Sequence, residues 1–420
     1  MTNLGTPATE RHGDPDPDAT RLAASLAATY VTGVDPHAIV NSNTWQSSAA
    51  EYAALRTRLT HAGQGDEAVS APLRRLADEP ADGEAHRDLI AGLAARLRAD
   101  PGVRRSLEAA LDAVSTASYV SYHLGDAYVR DARADSLADP GDVLRLCPER
   151  TPGGQNPAPD IAVIIPLRAL PGDESRLRNA VAAVAAAGTQ TLPRERFTVV
   201  VVEQDDEPRC EKYLAGLTDT YVFARNAGDF NKSWAFNMGV NAAPGARQLC
   251  FLDADILLAE DALESVVREL DSGTECLLPY REVVYLDQGT SALAISERLG
   301  PVRALPFDRL RGYGLKDTWG GCICLTRRLY DSVGGYDERF RGWGDEDNEF
   351  YRQIIQRTPV PRWEMPMAHL WHARPVMADA EGVRPNQHIA GTARPTVTGP
   401  LGNPHKYAHE VLISEGEAQL

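Results

Sequence analysis

Two hydrophobic periodicities divide the chain. Over residues 18–147, Ala, Leu and Arg recur at helical spacing, as in Leu89, Leu93, Ala94 and Leu97, with a break at Asp100-Pro101-Gly102. That spacing predicts a bundle of four to six helices. From residue 160 short continuous apolar runs take over: Ile161-Ala162-Val163-Ile164-Ile165, Phe197-Thr198-Val199-Val200-Val201-Val202 and Leu249-Cys250-Phe251-Leu252. Runs of this length predict buried strands, and residues 160–376 read as an α/β domain. Residues 1–17 are polar and Pro-rich and are predicted to be disordered. Residues 148–159, rich in Pro with Gly153-Gly154, read as a linker. After His372 the chain carries Pro375, Pro385, Pro395, Pro400 and Pro404, so residues 377–420 are expected to form an irregular tail that wraps the domain or orders on substrate binding.

Composition narrows the class. The chain has 420 residues, enough for a catalytic domain and a smaller second one. A net charge of −16 argues against nucleic acid as a partner, because phosphate backbones need a basic surface. The six cysteines lack Cys-x-x-Cys spacing, and no apolar run reaches the roughly 18 residues of a membrane span. With no charged-then-apolar signal at Met1-Thr2-Asn3-Leu4, a cytoplasmic protein is expected. Dense Ala and Arg usage suggests a GC-rich bacterial source.

The chemistry concentrates in two acidic segments. In Phe251-Leu252-Asp253-Ala254-Asp255-Ile256, two carboxylates leave the end of an apolar run. If the segment stays extended, Asp253 and Asp255 point to the same side and converge, as a hard divalent cation shared with a diphosphate requires. Loop or helix-capping acids are the plainer alternative, since Glu260 and Asp261 continue the acidity. The second segment is Gly342-Trp343-Gly344-Asp345-Glu346-Asp347-Asn348-Glu349-Phe350. Its glycines allow close backbone approach, and Trp343 offers a face on which a sugar ring stacks. Asp345 is expected to cap a helix whose Phe350, Ile354 and Ile355 face inward. Acids in its first turn feel the positive end of the helix dipole, and one of them suits a general base.

Three further segments bear on the site. His369 and His372 lie within Met367-Ala368-His369-Leu370-Trp371-His372. At extended spacing they face opposite sides, so one alone reaches a metal unless the chain turns there; a packed core histidine is the plain alternative. Residues 311–321, with four glycines and Trp319, read as a flexible loop ending in a Trp319-Gly320-Gly321 surface for a sugar, where Arg311 or Lys316 either meets a diphosphate or is solvated. Cys322 and Cys324 read as small core residues.

These segments together resemble family 2 glycosyltransferases of the GT-A fold, a Rossmann-like nucleotide-diphospho-sugar transferase architecture. Ile161 to Arg168 is similar to their first strand and nucleotide loop, and Phe197 to Asp205 to their second strand with its acidic end. Phe230-Asn231-Lys232-Ser233-Trp234-Ala235-Phe236-Asn237-Met238-Gly239 resembles the segment before the metal motif in beta-1,4-galactosyltransferases. The Gly-Trp-Gly-Asp-Glu-Asp stretch resembles the galactosyltransferase-type segment shared with chondroitin polymerases and polypeptide N-acetylgalactosaminyltransferases. No family resemblance covers the helical part, for which a homodimer contact, acceptor binding and bracing all remain open.

The resemblance implies a set of roles. Pro166 and Arg168 would sit at the nucleotide, Glu203 or Asp205 near its base or ribose, and Lys232 near the diphosphate. Asp253 and Asp255 match the metal and ribose motif, with His372 preferred over His369 as a further ligand to Mn²⁺ or Mg²⁺. Glu346 matches an acceptor-binding acid and Asp347 the base of inverting members, with Trp319, Gly320, Gly321, Trp343, Gly344 and Asp345 around donor sugar and acceptor. Asp345 replaces the usual Gly, and Asn348 an acid. The implied activity is metal-dependent, inverting hexosyl transfer from a nucleotide-diphosphate sugar, UDP-linked by the family pattern, to a small-molecule, peptide or glycan acceptor. The Golgi anchor typical of the animal members is not expected here. One rival, a sugar nucleotidyltransferase, would need a Gly-rich basic phosphate loop that Leu167-Arg168-Ala169-Leu170-Pro171-Gly172-Asp173-Glu174 does not supply. The other, a noncatalytic sugar or nucleotide binder, leaves the intact Asp347 unexplained.

Overall fold

A computed structural model describes residues 16–38, 42–130, 137, 139–148, 157–373, 383–394 and 399–407. Most of the expected N-terminal disorder and linker, and the rest of the tail, lie outside the described residues. The chain forms two compact units, Met1–Tyr122 and His123–Leu420.

Among the described residues the first unit holds five α-helices: α1 (Pro17–Val34), α2 (Ser42–Ala62), α3 (Glu67–Asp78), α4 (Gly83–Ala99) and α5 (Pro101–Ala117). Aspartates start four of them: the side chains of Asp16, Asp66, Asp82 and Asp100 each accept a hydrogen bond from a first-turn amide. Leu26, Leu55, Leu59, Leu76, Leu89 and Leu93 are fully buried in the bundle. A short strand, β1 (Val120–Leu124), follows α5. The break between units falls earlier than residue 147, because the chain beyond Tyr122 packs with the α/β unit: the Gly125 amide donates to Leu310 O at 2.9 Å, and α6 (Pro140–Leu146) lies against α7 (Glu174–Gly188).

In the second unit β2 (Ile161–Leu167), β3 (Phe197–Asp205), β4 (Thr220–Arg225) and β5 (Gln248–Leu252) pair in parallel in the order β4-β3-β2-β5. Every residue of β2 and β5 is buried, which is why their sequences are unbroken apolar runs. The short α8 (Glu211–Leu214) precedes β4, and α9 (Lys232–Ala242) packs on β2, β3 and β4. The chain order reverses between β2 and β5, the kind of switch point at whose carboxyl-end crevice open α/β sheets bind ligands, and Arg168 and Asp253 directly follow those two strand ends.

Past β6 (Ile256–Leu257), α10 (Ala262–Asp271) leads to β7 (Cys276–Leu277) and β8 (Glu282–Leu286), then α11 (Gln288–Leu299), β9 (Arg311–Lys316) and β10 (Cys322–Thr326). Helices α12 (Arg327–Val333) and α13 (Glu346–Ile355) and strand β11 (Pro366–His369) complete the unit. β10 extends the first sheet antiparallel to β5, and a second sheet contains the run β9-β8-β11-β6.

Several expectations are corrected here. Residues 311–316 are a strand rather than a flexible loop: Tyr313 and Leu315 are buried, and a Cβ at Gly312 would lie 2.4 Å from Tyr285 O, so this glycine serves close strand packing. Arg311 is buried on Asp287 at 3.0 Å instead of facing a diphosphate. Phe350 and Ile354 face inward as expected, but Ile355 is 49% exposed, since α13 ends there. Among the described residues no helix is long and apolar enough to cross a membrane.

Candidate functional site

The Asp253-Ala254-Asp255 segment does not stay extended. A turn at Ala254-Asp255 separates β5 from β6, so the two carboxylates diverge into different surroundings.

Asp255 meets both histidines. Its Oδ2 lies 3.1 Å from His372 Nε2 and its Oδ1 3.5 Å from His369 Nε2, and among the described residues no other carboxylate joins this group. Strand β11 delivers His369 opposite Ile256 and then stops; the Leu370 amide donates to Asp255 O at 2.8 Å, and past the strand end His372 reaches the same carboxylate. The opposite-face expectation for the two imidazoles is thereby overturned. His369 Nδ1 is 2.9 Å from Leu370 O, and His372 Nδ1 is 2.7 Å from Ala373 O. A carbonyl only accepts, so both Nδ1 atoms carry a proton and both Nε2 atoms are turned toward Asp255, each offering a lone pair when its ring is neutral. Burial holds His369 below its ordinary value, against the pull of Asp255, so the neutral form is favoured. Asp255 Oδ1 is buried without a hydrogen-bond partner. Imidazole lone pairs facing a carboxylate are repulsive unless a proton or a cation stands among them, and nitrogen plus oxygen donors suit Mn²⁺ or a similar divalent ion.

Asp253 lies on the other side of the turn, 2.8 Å from Lys232 Nζ. Lys232 also stands 3.0 Å from Asp347 Oδ2 and 3.4 Å from Glu346 Oε1. Its position comes from α9: Asn231 caps the helix through Oδ1, which accepts from the Trp234 amide at 2.8 Å, while its side-chain Nδ2 donates to Glu338 O and to Tyr407 Oη. Burial would lower the Lys232 ammonium, but Asp253, Asp347 and Glu346 outweigh it and hold it well above its ordinary value. Asp347 is driven the other way. Burial, aided by Glu346 and Asp253 and opposed by Lys232, pushes its carboxyl up to about 7.

Around this cluster the glycines and indoles take specific places. A Cβ at Gly320 would lie 2.5 Å from Asp347 Oδ2, and Gly321 has φ +91°, so neither position accepts a larger residue without displacement. Gly321 O accepts from the Asp253 amide at 2.8 Å, which ties this loop to the end of β5. Trp319 stacks on Tyr351 with centroids 4.8 Å apart; Trp319 and Trp343 are each 37% exposed. Gly342 N donates to Phe230 O at 2.8 Å, and Gly344 has φ +98° with open space around it.

Asp345 does not cap α13. It adopts φ +72°, the region its replaced glycine favours, and its side chain makes no cap bond. It instead receives Arg384 Nη1 at 2.9 Å. Asn386, 2% exposed, accepts from the Arg341 amide at 3.1 Å and donates to Gly344 O at 2.8 Å. The described part of the tail therefore braces the acidic segment.

The residues assigned to a nucleotide from the sequence are more committed to protein contacts than the sequence suggests. Glu203 is fully buried and accepts from the amides of Arg209 at 2.9 Å and Cys210 at 3.0 Å, and from Tyr221 Oη. It organises the loop after β3 and does not face the crevice. Asp205 pairs with Arg209 at 2.8 Å, keeps Oδ2 unpartnered, and is raised chiefly by burial. Arg168 donates to Asn226 O at 2.6 Å and Gly228 O at 2.5 Å, and Pro166 is buried in β2. A cavity of about 370 Å³ lies between the loops after β2 and β3, lined among others by Pro171, Asp173, Arg209 and Tyr213. Cys322 and Cys324 are buried as expected, and Cys250 joins them with its Sγ 3.8 Å from that of Cys322.

Residues 162–334 match the family model described as Glycosyl transferase family 2, and residues 310–370 the one described as N-terminal domain of galactosyltransferase. Chondroitin sulfate N-acetylgalactosaminyltransferase 2 of Homo sapiens is 27% identical over 191 residues, covering 42% of this chain and 34% of that protein. Chondroitin sulfate N-acetylgalactosaminyltransferase 1 of Mus musculus is 25% identical over 169 residues, covering 37% of this chain and 30% of that protein. The chain thus spans about a third of the length of these curated relatives. Residues 162–334 are thus similar to family 2 glycosyltransferases and residues 310–370 to a galactosyltransferase segment, on an α/β unit of the GT-A fold.

Proposed function

We propose that this protein is a metal-dependent, inverting glycosyltransferase that moves a hexose or N-acetylhexosamine from a UDP-sugar to an acceptor hydroxyl. The observation that carries the reading is the paired arrangement at the end of β5. Asp255 with two Nε2 lone pairs stands on one side of the turn, and Asp347, poised near neutrality, stands with Lys232 and Asp253 on the other. The donor's nucleotide is assigned to the crevice beside Arg168 and Asp205, with the about 370 Å³ cavity at its edge. A divalent cation held by Asp255, His369 and His372 would offset the charge that grows on the departing diphosphate.

The chain's own residues supply the rest. Asp347 accepts the proton of the acceptor hydroxyl as its oxygen attacks the anomeric carbon; the bond from that carbon to the diphosphate oxygen breaks on the opposite face, giving inversion. A carboxyl near 7 suits this task, because a useful fraction is ionised at neutral pH while its basicity is well above that of an ordinary aspartate. Glu346 and the exposed face of Trp343 are assigned to the acceptor, Trp319 with Gly320 and Gly321 to the transferred sugar. The acceptor class is a small molecule, peptide or glycan. All six cysteines are free, which suits a reducing compartment, and we assign the reaction to the cytoplasm.

The test is release of UDP from a panel of UDP-sugars, with and without Mn²⁺. Slow, Mn²⁺-dependent hydrolysis of one donor in the absence of acceptor is expected. Donor binding with no turnover under any condition would contradict the reading.

A further inference from the structure

We propose that Arg178, Asn179 and Ser291 are positioning residues that clamp the main chain at Trp371 and thereby set the spacing of His369 and His372 for a cation; the inference rests on the cation site proposed above. Both imidazoles reach Asp255 from a short segment that leaves β11 after His369, and the main chain between them, at Trp371, is held by side-chain hydrogen bonds. The Trp371 amide donates to Ser291 Oγ at 2.8 Å. Trp371 O accepts from Arg178 Nη2 at 2.9 Å and from Asn179 Nδ2 at 3.0 Å. Arg178 Nη2 in turn donates to Asn179 Oδ1 at 2.8 Å, which fixes the orientation of the amide that holds the carbonyl.

The cost of this arrangement points to a purpose beyond packing. Asn179 and Ser291 are fully buried and Arg178 is 3% exposed. Arg178 and Asn179 sit in α7 directly before Ala180-Val181-Ala182-Ala183-Val184-Ala185-Ala186-Ala187, all buried, where two more apolar residues would pack without desolvating a guanidinium. Their hydrogen bonds converge on a residue that makes no contribution of its own to the Asp255 group but lies between the two imidazoles. Without the clamp the segment after β11 keeps the Leu370 amide bond to Asp255 O and an exposed bond from Arg176 Nη2 to Ala373 O at 3.2 Å, and the main chain between the two imidazoles loses its buried anchors.

The experiment is a titration of the full chain with Mn²⁺ alone, followed by the electron paramagnetic resonance of the free ion, alongside thermal melting without metal. Ser291→Ala removes one hydroxyl at small structural cost, and Asn179→Ala is the second variant. Weakening of Mn²⁺ binding by about tenfold or more in folded variants is expected, as for other groups that orient metal ligands. Unchanged Mn²⁺ affinity in a folded Ser291→Ala protein overturns the clamp while leaving the cation site standing. Failure of the unsubstituted protein to bind Mn²⁺, with His372→Ala making no difference, overturns the cation site and the clamp with it.

Discussion

Lys232 Nζ stands 3.0 Å from Asp347 Oδ2, so the residue assigned as base is held by a cation that also touches Asp253 and Glu346. This contact lowers a carboxyl that burial and two neighbouring acids raise. Activity is therefore expected to rise with pH through about 7, as Asp347 ionises. Replacing Lys232 with Met removes the lowering influence and should move that limb to higher pH. A profile of kcat/KM against pH for both proteins checks this, and coincident limbs would contradict it.

Asp347→Asn should separate activity from stability. Turnover is expected to fall by about two to four orders of magnitude, the usual worth of a general base, with donor binding retained. Stability should move the other way. The folded value of about 7 lies above the roughly 3.9 of an unfolded aspartate, so the fold favours the protonated carboxyl. That contribution is complete below about pH 4 and is lost as pH rises through about 7. Melting of the Asn variant relative to the parent should thus improve progressively between about pH 4 and 7 and level off above that. A difference in Tm independent of pH would show that Asp347 is not raised.

The strong parts of the sequence signal were those in which neighbouring residues share one element. Apolar runs marked β2, β3 and β5, and the acids at Glu346 and Asp347 do begin a helix, in whose first turn both remain. Geometry between elements was less legible. Nothing in Asp253-Ala254-Asp255 announces the turn that parts the two carboxylates, and the place where β11 ends decides whether one histidine or two reach Asp255. Glu203 reads as a ligand because it ends an apolar run, but the loop after β3 closes over it. Arg384 and Asn386 lie far along the chain from the segment they brace. Arg178-Asn179, two polar residues at the start of an Ala-rich helix, were a signal that the periodicity alone does not interpret.

The Asp345–Arg384 pair makes a prediction about strain. Asp345 holds φ +72° and its Oδ2 has no hydrogen-bond partner, so removing Arg384 leaves a largely buried carboxylate without its cation, with Asn348 Nδ2 at 3.3 Å from Oδ1. Arg384→Ala should cost about 1–3 kcal/mol, the usual penalty for stranding a buried polar group. Asp345→Gly added to it should recover most of that loss, since glycine adopts this backbone freely. Denaturant unfolding of the two single variants and the double variant checks the coupling; additive losses would mean that the pair does not interact.

The most direct test of the central claim is the melting temperature with UDP, in Mn²⁺ and in EDTA, for the parent protein and for His369→Ala and His372→Ala. A ligand at about a hundred times its dissociation constant stabilises by about 2.7 kcal/mol. The parent should show a UDP-dependent rise in Tm in Mn²⁺ and none in EDTA, and each histidine variant should lose most of it. An equal rise in EDTA, or a rise that survives loss of both histidines, would contradict a cation held by Asp255, His369 and His372 as the centre of this site.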